Sequence, residues 1–222
     1  MKKHIAIILS GCGVYDGSEI FEATLTFLAI EHHGSTFQCF APDMEQAKVV
    51  NHLTGEIMEG ETRNVLVESA RLCRGEVKNI NDLNQEEFDG LILPGGFGAA
   101  SNLSDFAEKG AEATINPDVY RAVRAFADAK KPVGFICIAP ALVPMIYRKG
   151  VQVTIGNDKE TAETINQMGA IHVDCEVDDF IVDMVKKVVT TPAFMLAGNI
   201  TEAQVGIDNL VTELISLCSF DD

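Results

Sequence analysis

Cys137 is the residue of this sequence best placed for nucleophilic chemistry. It follows a short apolar run, residues 133–136 (VGFI), and precedes a segment able to begin a helix. A thiol at a helix N-terminus faces unpaired backbone N–H groups and the positive end of the helix dipole, and both favour its thiolate form. This strand–turn–helix context is that of a nucleophile elbow, and the small Ala139 suits its tight turn. A buried core thiol, the usual state of a free cysteine, is the alternative interpretation.

A second motif is suited to binding negative charge that develops on a substrate. Residues 94–98 (PGGFG) follow another apolar run and offer close backbone approach and free N–H groups. Together, the amides of Gly96 and Ile138 can hold an oxyanion that forms on a carbonyl substrate. The alternative interpretation is a turn whose glycines only supply positive φ angles.

The first glycine-rich loop, residues 10–17 (SGCGVYDG), raises the possibility of dinucleotide binding. Glycines after a first strand can admit a pyrophosphate, and Asp43 near the next strand's end could meet a ribose. Against this, Asp16 and Glu19 bring two negative charges to the place where the pyrophosphate would sit. A nucleotide-binding module is therefore a weaker hypothesis, and Cys12 is interpreted as a structural or accessory pocket residue.

The elements that must position these motifs alternate between short apolar runs and longer amphipathic ones. The spacing predicts strands over residues 5–9, 37–41, 77–80, 91–93 and 133–136, and a hairpin or two short strands over 180–190. It predicts helices over residues 19–33, 62–72, 119–129, 139–147, 161–168 and 202–217. Such alternation indicates an α/β domain, residues 1–222, with a mostly parallel sheet covered on both faces. Ligands of these sheets bind beyond the carboxyl ends of the strands, where the three motifs converge.

Composition excludes several classes of function. The 222 residues include 17 Lys and Arg against 33 Asp and Glu, a net charge of −16, which argues against nucleic-acid and anionic-membrane partners. The six cysteines have no zinc-site spacing, so we expect no metal and no cofactor. Residues 5–9 are too short for a secretory signal, and the longest uncharged stretch, 132–147, contains three prolines. Reduced thiols without an export signal predict a cytoplasmic protein.

Seven motifs give the sequence a family resemblance over nearly its full length. They are residues 10–17 (SGCGVYDG), 40–43 (FAPD), 51–52 (NH), 62–65 (TRNV), 94–100 (PGGFGAA), 137–140 (CIAP) and 190–195 (TTPAFM). With these motifs the chain resembles the PfpI / class I glutamine amidotransferase-like superfamily and, within it, the ElbB branch, the enhancing lycopene biosynthesis proteins. The first and fourth motifs are specific to that branch. The resemblance implies a three-layer flavodoxin-like sandwich with a reactive cysteine at the elbow, here Cys137.

The resemblance also implies a carboxylic acid on the first helix that touches the cysteine sulfur. By its position, twelve residues before the helix-ending Gly34, that acid is Glu22. Glu19, one turn earlier, is the alternative, although for Glu19 a solvated helical position is the preferred interpretation. A glutamate buried beside a thiolate holds its own proton, because two anions in contact are costly.

The sequence departs from the family pattern in its histidines. Many relatives place a histidine directly after the cysteine or about twenty residues later, where this chain has Ile138 and the neighbourhood of Gly156. The only later histidine, His172, lies in an apolar strand-like run and is interpreted as structural. His172 and Asp174 have the spacing of a glutaminase pair, but the two residues lie too soon after the cysteine in the chain. We therefore expect neither a peptidase nor a glutaminase triad.

These observations lead to two main hypotheses. The first is a cofactor-independent, glyoxalase-like enzyme that converts small 2-oxoaldehydes into 2-hydroxy acids through Cys137 and Glu22, with a link to isoprenoid biosynthesis implied by the resemblance. Without a histidine partner, turnover is expected below the median enzyme kcat of about 10 s⁻¹. The second is a redox or carbonyl-stress sensor that uses the same cysteine and acts through a protein partner. The resemblance further implies a homodimer.

Overall fold

The computed structural model describes residues 2–147 and 149–219 of the chain. The strands are β1 His4–Ile8, β2 Thr36–Ala41, β3 Val77–Asn79, β4 Gly90–Leu93, β5 Val133–Ile136, β6 Gln152–Val153, β7 Ile171–His172, β8 Ile181–Asp183 and β9 Val188–Thr191. The helices are α1 Ile20–His32, α2 Val65–Ser69, α3 Phe97–Ser101, α4 Phe106–Lys109, α5 Pro117–Asp128, α6 Val143–Ile146, α7 Lys159–Gln167 and α8 Ile200–Leu217.

A seven-stranded sheet in the order β3-β2-β1-β4-β5-β9-β8 organises the molecule. All neighbouring strands are parallel except β8, which runs antiparallel to β9 and pairs Val182 with Val189. This confirms the predicted mostly parallel α/β sheet and the hairpin within residues 180–190. The strands β6 and β7 form a separate parallel pair.

Alternating side chains of the strands feed two cores on opposite faces of the sheet. In β1, Ala6 and Ile8 join a core that α5 covers, whereas Ile5 and Ile7 join a core that α1 and α8 cover. Because the side chains of a strand alternate in direction, the two cores define three layers. The strands β4, β5 and β9 are buried along their whole length, as expected for a sheet covered on both faces.

Several element boundaries differ from the prediction for identifiable reasons. The helix predicted over 62–72 is only α2, and Asn64 caps it by accepting a hydrogen bond from Val67 N. The helix predicted over 139–147 is a 3₁₀ turn over Ala139–Leu142 followed by α6. Its two prolines, Pro140 and Pro144, lack the backbone N–H that a continuous α-helix needs. The short helices α3 and α4 and the strand β6 carried no periodicity long enough to predict them.

Three further features of the described residues bear on function. No helix among them is both long and apolar enough to cross a bilayer. Within the same residues, no three His, Cys, Asp or Glu side chains are grouped so that they could hold a metal ion. The six cysteines are unpaired thiols.

Candidate active site

Cys137 occupies a strained elbow directly after β5. Its φ of 63° lies in the left-handed region, which costs a non-glycine residue about 1–3 kcal/mol and persists only where the surroundings enforce it. The Cys137 amide donates to Thr191 O at 2.9 Å, which ties the elbow to the end of β9. Its side chain is buried, with 8% of the residue exposed. The predicted strand–turn–helix elbow is therefore present, with a 3₁₀ turn in place of the first helical turn.

Glu22 meets the Cys137 thiol from α1, at full burial. Its Oε2 accepts a hydrogen bond from Gly95 N at 3.0 Å, and its Oε1 accepts one from Phe194 N at 3.2 Å. Oε2 lies beside the same point of the Gly95 loop as Cys137 Cβ, and each of the two side chains shifts the pKa of the other. Burial, followed by the charge of Glu19, raises the pKa of Glu22 from 4.5 to about 8. The carboxyl group is therefore largely protonated at neutral pH.

The environment of the Cys137 thiol opposes its ionisation, whereas the sequence predicted that the thiolate is favoured. Burial raises its pKa well above 9.0, and Glu22 raises it further. The amides of Gly96 and Ile138 act in the opposite direction and lower this pKa. The expected helix-dipole assistance is small because the 3₁₀ turn is followed only by the four-residue α6. Desolvation outweighs the amides, so the thiol is mostly protonated at neutral pH. A charged Glu22 opposes the thiolate further, because two anions in contact are costly.

The glycines of the 94–98 motif are required by close packing. A Cβ on Gly95 would lie 2.5 Å from Cys137 Cβ and 2.6 Å from Glu22 Oε2. Gly96 has a φ of +95°, and a Cβ there would lie 2.4 Å from Glu19 N. Close approach to the pair therefore explains Gly95, whereas Gly96 is required by its positive φ and by its close approach to the backbone of residues 17–19. In this position the amide of Gly96 lowers the pKa of the Cys137 thiol.

Glu19 is not the solvated side chain that the sequence suggested. The residue is only 8% exposed, and its Oε2 accepts from Glu22 N at 2.7 Å, which caps α1. Its own amide donates to Gly95 O at 3.0 Å. Burial raises the pKa of Glu19, and its charge raises that of Glu22. The preferred sequence interpretation was wrong because capping places the carboxylate over the first turn, inside the site.

A cleft of about 370 Å³ opens above the thiol and has mostly apolar walls. Its lining residues are Val14, Glu19, Gly96, Phe97, Ala100, Phe106, Ala107, Cys137, Ile138, Thr161, Phe194 and Met195. In the part of the chain that the structure describes, no histidine, lysine or arginine lines this cleft. The arrangement suits a small, uncharged electrophile that approaches the sulfur while two amides and a carboxylic acid face its reacting atoms.

Sequence reasoning missed several of these lining residues. Phe106 and Ala107 come from α4, and Thr161 comes from α7, both distant in the chain from the elbow. Phe194 and Met195 belong to the 190–195 motif, which was recognised as a family feature without a role. Its position at the carboxyl end of β9 was the signal that could have placed it in the site.

His172 has the structural role that the sequence predicted. Its side chain is 3% exposed, and Nε2 accepts a hydrogen bond from Ile155 N at 3.1 Å. Nδ1 lies 3.6 Å from Asp174 Oδ1, and burial lowers the pKa of the ring. The ring is therefore engaged outside the cleft and gives Cys137 no partner.

The amides of the first glycine-rich loop are used within the protein. Gly17 N donates to Gly13 O at 2.7 Å, and Gly11 N donates to Ser69 Oγ at 2.9 Å. A Cβ on Gly17 would lie 2.3 Å from Cys12 N, so the loop is folded tightly on itself. A pyrophosphate needs such amides free, and the geometry therefore gives the dinucleotide hypothesis no support.

Residues 44–61 fold over this loop. Asp16 is buried, and its Oδ2 accepts a hydrogen bond from Val50 N at 2.8 Å. His52 bonds Val50 O through Nδ1 at 3.0 Å and accepts from Tyr15 N through Nε2 at 3.2 Å. The segment thus fixes the loop that carries Val14 into the cleft, and His52 does not reach the lining.

Residues 15–196 match the DJ-1/PfpI family, and the chain belongs to this family. The fold described above is that of a DJ-1/PfpI protein, of the class I glutamine amidotransferase-like superfamily.

Its similar proteins include two curated mitochondrial proteins and one solved structure. The chain is 44% identical to human glutamine amidotransferase-like class 1 domain-containing protein 3, mitochondrial, over 96% of this chain and 82% of that protein. It is 43% identical to the rat ES1 protein homolog, mitochondrial, over 97% and 84%. A crystal structure of an isoprenoid biosynthesis protein with an amidotransferase-like domain, from Ehrlichia chaffeensis, is 40% identical with a TM-score of 0.91. That similarity covers 97% of this chain and 99% of that one.

Proposed function

We propose that this protein is a cofactor-independent, glyoxalase-like enzyme that converts small 2-oxoaldehydes into 2-hydroxy acids. The observation that carries the proposal is the buried pair of Glu22 and Cys137, two side chains that meet beside Gly95 at the base of an apolar cleft. A buried acid with a pKa of about 8 both donates and accepts a proton near neutral pH, as this isomerisation demands.

The reaction proceeds through a covalent adduct of Cys137. The thiolate attacks one aldehyde carbon of glyoxal, and Glu22 donates its proton to the resulting alkoxide, which gives a hemithioacetal. The carboxylate of Glu22 then removes the proton from that carbon while the hydroxyl proton of the hemithioacetal passes to the neighbouring aldehyde oxygen, which gives an enediolate. Glu22 delivers its proton to the neighbouring carbon, and the sulfur-bearing carbon becomes the carbonyl of a thioester. Water cleaves the thioester and releases glycolate and the thiol. One aldehyde carbon is oxidised to the carboxylate level while the other is reduced to the alcohol level, so no external oxidant is needed.

The backbone amides stabilise the charged stages of this reaction. Both Gly96 and Ile138 lower the pKa of the thiol, so they stabilise negative charge at the sulfur and beside it. A protonated Glu22 accepts from the amides of Gly95 and Phe194 and still has one O–H for the sulfur. A glutamine side chain could not make the same three contacts, because its NH₂ group would face an N–H donor.

Slow turnover follows from the same geometry. Both protons of the pair are held by burial at neutral pH, and no histidine lines the cleft among the described residues. Only a minor population has the thiolate opposite a neutral carboxyl group. We therefore keep the expectation of a kcat below about 10 s⁻¹.

We extend the proposal to the ElbB branch of the superfamily and to a role connected with isoprenoid biosynthesis. Support comes from the Ehrlichia chaffeensis relative, whose name includes isoprenoid biosynthesis. For the compartment, the curated relatives are named as mitochondrial, whereas the sequence suggested the cytoplasm. The six unpaired thiols require only a reducing compartment, so we propose a cytoplasmic or mitochondrial location.

A homodimer is a further part of the proposal. Ile20, Phe21 and Leu28 of α1 are 44%, 46% and 39% exposed, which is a row of apolar side chains on one helix. Phe21 also packs 6.0 Å, between ring centroids, from Phe194 of the cleft. Light scattering should give twice the monomer mass, and Phe21→Glu should give the monomer. A monomeric wild type would overturn this part.

The sensor function uses the same thiol and is favoured by one observation, the lack of a histidine in the described cleft lining. Against it, burial raises the pKa of Cys137, whereas sensor cysteines have a low pKa and good solvent access. Intact mass after mild peroxide treatment separates the two functions. A sensor gains oxygen selectively at Cys137, whereas the enzyme retains a mostly unmodified thiol.

The decisive experiment measures glycolate formation from glyoxal, without glutathione, by the wild type, Cys137→Ser and Cys73→Ser. The enzyme function predicts turnover by the wild type and by Cys73→Ser, a control that removes a different buried thiol. Cys137→Ser should have no activity above background. Full activity in Cys137→Ser, or none in the wild type, would contradict the proposal.

A further inference from the structure

A second cavity, of about 360 Å³, lies near the amino-terminal end of β5, whereas Cys137 follows the carboxyl-terminal end of that strand. Its lining residues are Arg124, Ala127, Asp128, Lys130, Tyr147, Val185, Lys186 and Lys187. The chain enters β5 three residues after Lys130 and leaves it one residue before Cys137. A ligand in this cavity is therefore separated from the Cys137 cleft by the length of β5.

The charge of this cavity is opposite to that of the whole chain. Four of its eight lining residues are basic and one is acidic, in a protein of net charge −16. Arg124 donates through Nη2 to Asp128 Oδ1 at 2.5 Å and through Nη1 to Ile146 O at 3.2 Å. The single acidic lining residue is thus matched by Arg124, and Lys130 and Lys186 add positive charge beyond that pair. Within the described residues, no ion pair joins Lys130 or Lys186 to a carboxylate.

Asp183 anchors the backbone of the turn between β8 and β9. Asp183 accepts a hydrogen bond from Lys186 N at 2.9 Å and another from Gln152 N at 3.1 Å. The carboxylate of Asp183 is therefore bound by backbone amides. The C-terminal end of α5 contributes about half a negative charge, which the lysines outweigh.

Tyr147 supplies the observation that points to a ligand. The residue is only 7% exposed, and its hydroxyl group has no hydrogen-bond partner in the part of the chain that the structure describes. An unpartnered buried hydroxyl costs about 1–3 kcal/mol, so such groups are uncommon in folded proteins. Arg124 and Tyr147 line the same cavity. The charge of Arg124 lowers the pKa of this hydroxyl, whereas that of Asp183, whose carboxylate is bound by the amides of Lys186 and Gln152, raises it. An oxygen atom bound beside Arg124 could accept the hydrogen bond that Tyr147 has available.

We propose that this cavity binds a phosphate or diphosphate group, either free or as part of an ester. Such a group carries several charged oxygen atoms, which matches the guanidinium of Arg124, the ammonium groups of the lysines and the O–H of Tyr147. A single carboxylate would leave most of this positive charge unmatched. The apolar side chain of Val185 at the mouth, 87% exposed, leaves room for the organic part of an ester.

Calorimetric titration of the full chain tests this proposal, with inorganic phosphate, diphosphate and glycerol phosphate as separate ligands at constant ionic strength. We expect diphosphate to bind more tightly than millimolar, and Lys186→Glu to weaken binding about tenfold or more. Lys78→Glu makes the same charge change on an exposed part of β3 and should bind like the wild type. Comparison of glycerol phosphate with inorganic phosphate shows whether the ester or the free anion is preferred.

Tyr147→Phe gives a second, independent readout, because it keeps the ring and removes only the hydroxyl group. It should weaken diphosphate binding several-fold without lowering the melting temperature of the free protein. The chain has no tryptophan, so a change in tyrosine absorbance on binding, absent in Tyr147→Phe, would report the contact directly. No binding by the wild type at 10 mM diphosphate (a concentration roughly ten times the expected Kd limit), or equal binding by Lys186→Glu and Lys78→Glu, would overturn the proposal.

Discussion

The carboxyl group of Glu22 and the thiol of Cys137 form a buried pair in which burial raises both pKa values, so that both protons are held at neutral pH. Two groups that interact this closely lose their protons in steps that belong to the pair. The reactive form has lost one proton and holds the other on the carboxyl group. Its abundance, and with it the rate of any reaction of the thiolate, therefore depends on the first ionisation of the pair.

This relationship predicts a pH dependence of catalysis. The pKa of Glu22, about 8, marks the loss of the first proton, so kcat/KM for glyoxal should rise as the pH increases through about 8. Below that region the doubly protonated pair is unreactive. Initial rates between pH 6 and 9.5, in buffers of equal ionic strength, measure this profile. A rate independent of pH across this range would contradict the shared-proton account.

Glu19 should set the position of that profile. Its charge raises the pKa of Glu22, so removal of the charge in Glu19→Gln should move the rise in kcat/KM to lower pH. Glutamine keeps an oxygen that can accept from Glu22 N, so α1 should remain capped. Glu31→Gln, an exposed change on the same helix, is the matched control and should leave the profile in place. A profile of Glu19→Gln that coincides with the control would exclude this role.

Glu22 should also give the protein a distinctive dependence of stability on pH. Its pKa is 4.5 ordinarily and about 8 in the folded protein, so the folded state retains this proton where the unfolded state has lost it. This raised pKa contributes stability that is complete below about pH 4.5 and is lost as the pH rises through about 8. The difference across that window is on the order of 5 kcal/mol.

Glu22→Gln isolates this contribution because all other titrating groups remain. The melting temperature of the wild type minus that of Glu22→Gln should decrease steadily from pH 5 to pH 8. The variant itself should be less stable at pH 5, since its NH₂ group faces an amide donor from Gly95 or Phe194. If the melting temperatures of the two proteins change with pH in parallel across this range, Glu22 titrates normally in the folded protein.

The sequence was sufficient for the architecture because the strands are marked by apolar runs and the helices by periodic ones. The run 133–136 became β5, and the elbow at Cys137 followed from its position after that run. The pairing with Glu22 came from the family resemblance, since no local pattern relates α1 to the end of β5.

Other parts of the site depend on tertiary contacts that a linear pattern does not contain. The raised pKa of Cys137 arises from burial, which only the assembled layers determine. The amide of Phe194 reaches Glu22 because β9 lies beside β5 in the sheet, although the two are separated in the chain by β6, β7 and β8. Thr161 of α7 also lines the cleft through a tertiary contact that its position in the sequence does not reveal.

Gly95 should be the most sensitive non-ionisable position of the site. A methyl group there would lie 2.5 Å from Cys137 Cβ and 2.6 Å from Glu22 Oε2, too close for any real contact. Gly95→Ala must therefore separate the pair, and a misplacement of about 1 Å can cost roughly a hundredfold in rate. Overpacking of this kind typically lowers stability by about 1–3 kcal/mol, so the fold should survive.

Gly55→Ala is the matched control for this substitution. Gly55 has a φ of +77° and nothing within 4 Å of the added methyl group, so the change costs about 1–2 kcal/mol of backbone strain without a clash. Both variants should therefore lose similar stability, while only Gly95→Ala loses glyoxal turnover. Thermal melting and initial rates on the same preparations compare them. If the two variants turn over glyoxal equally, close contact of the Gly95 loop with Glu22 and Cys137 is not what the reaction requires.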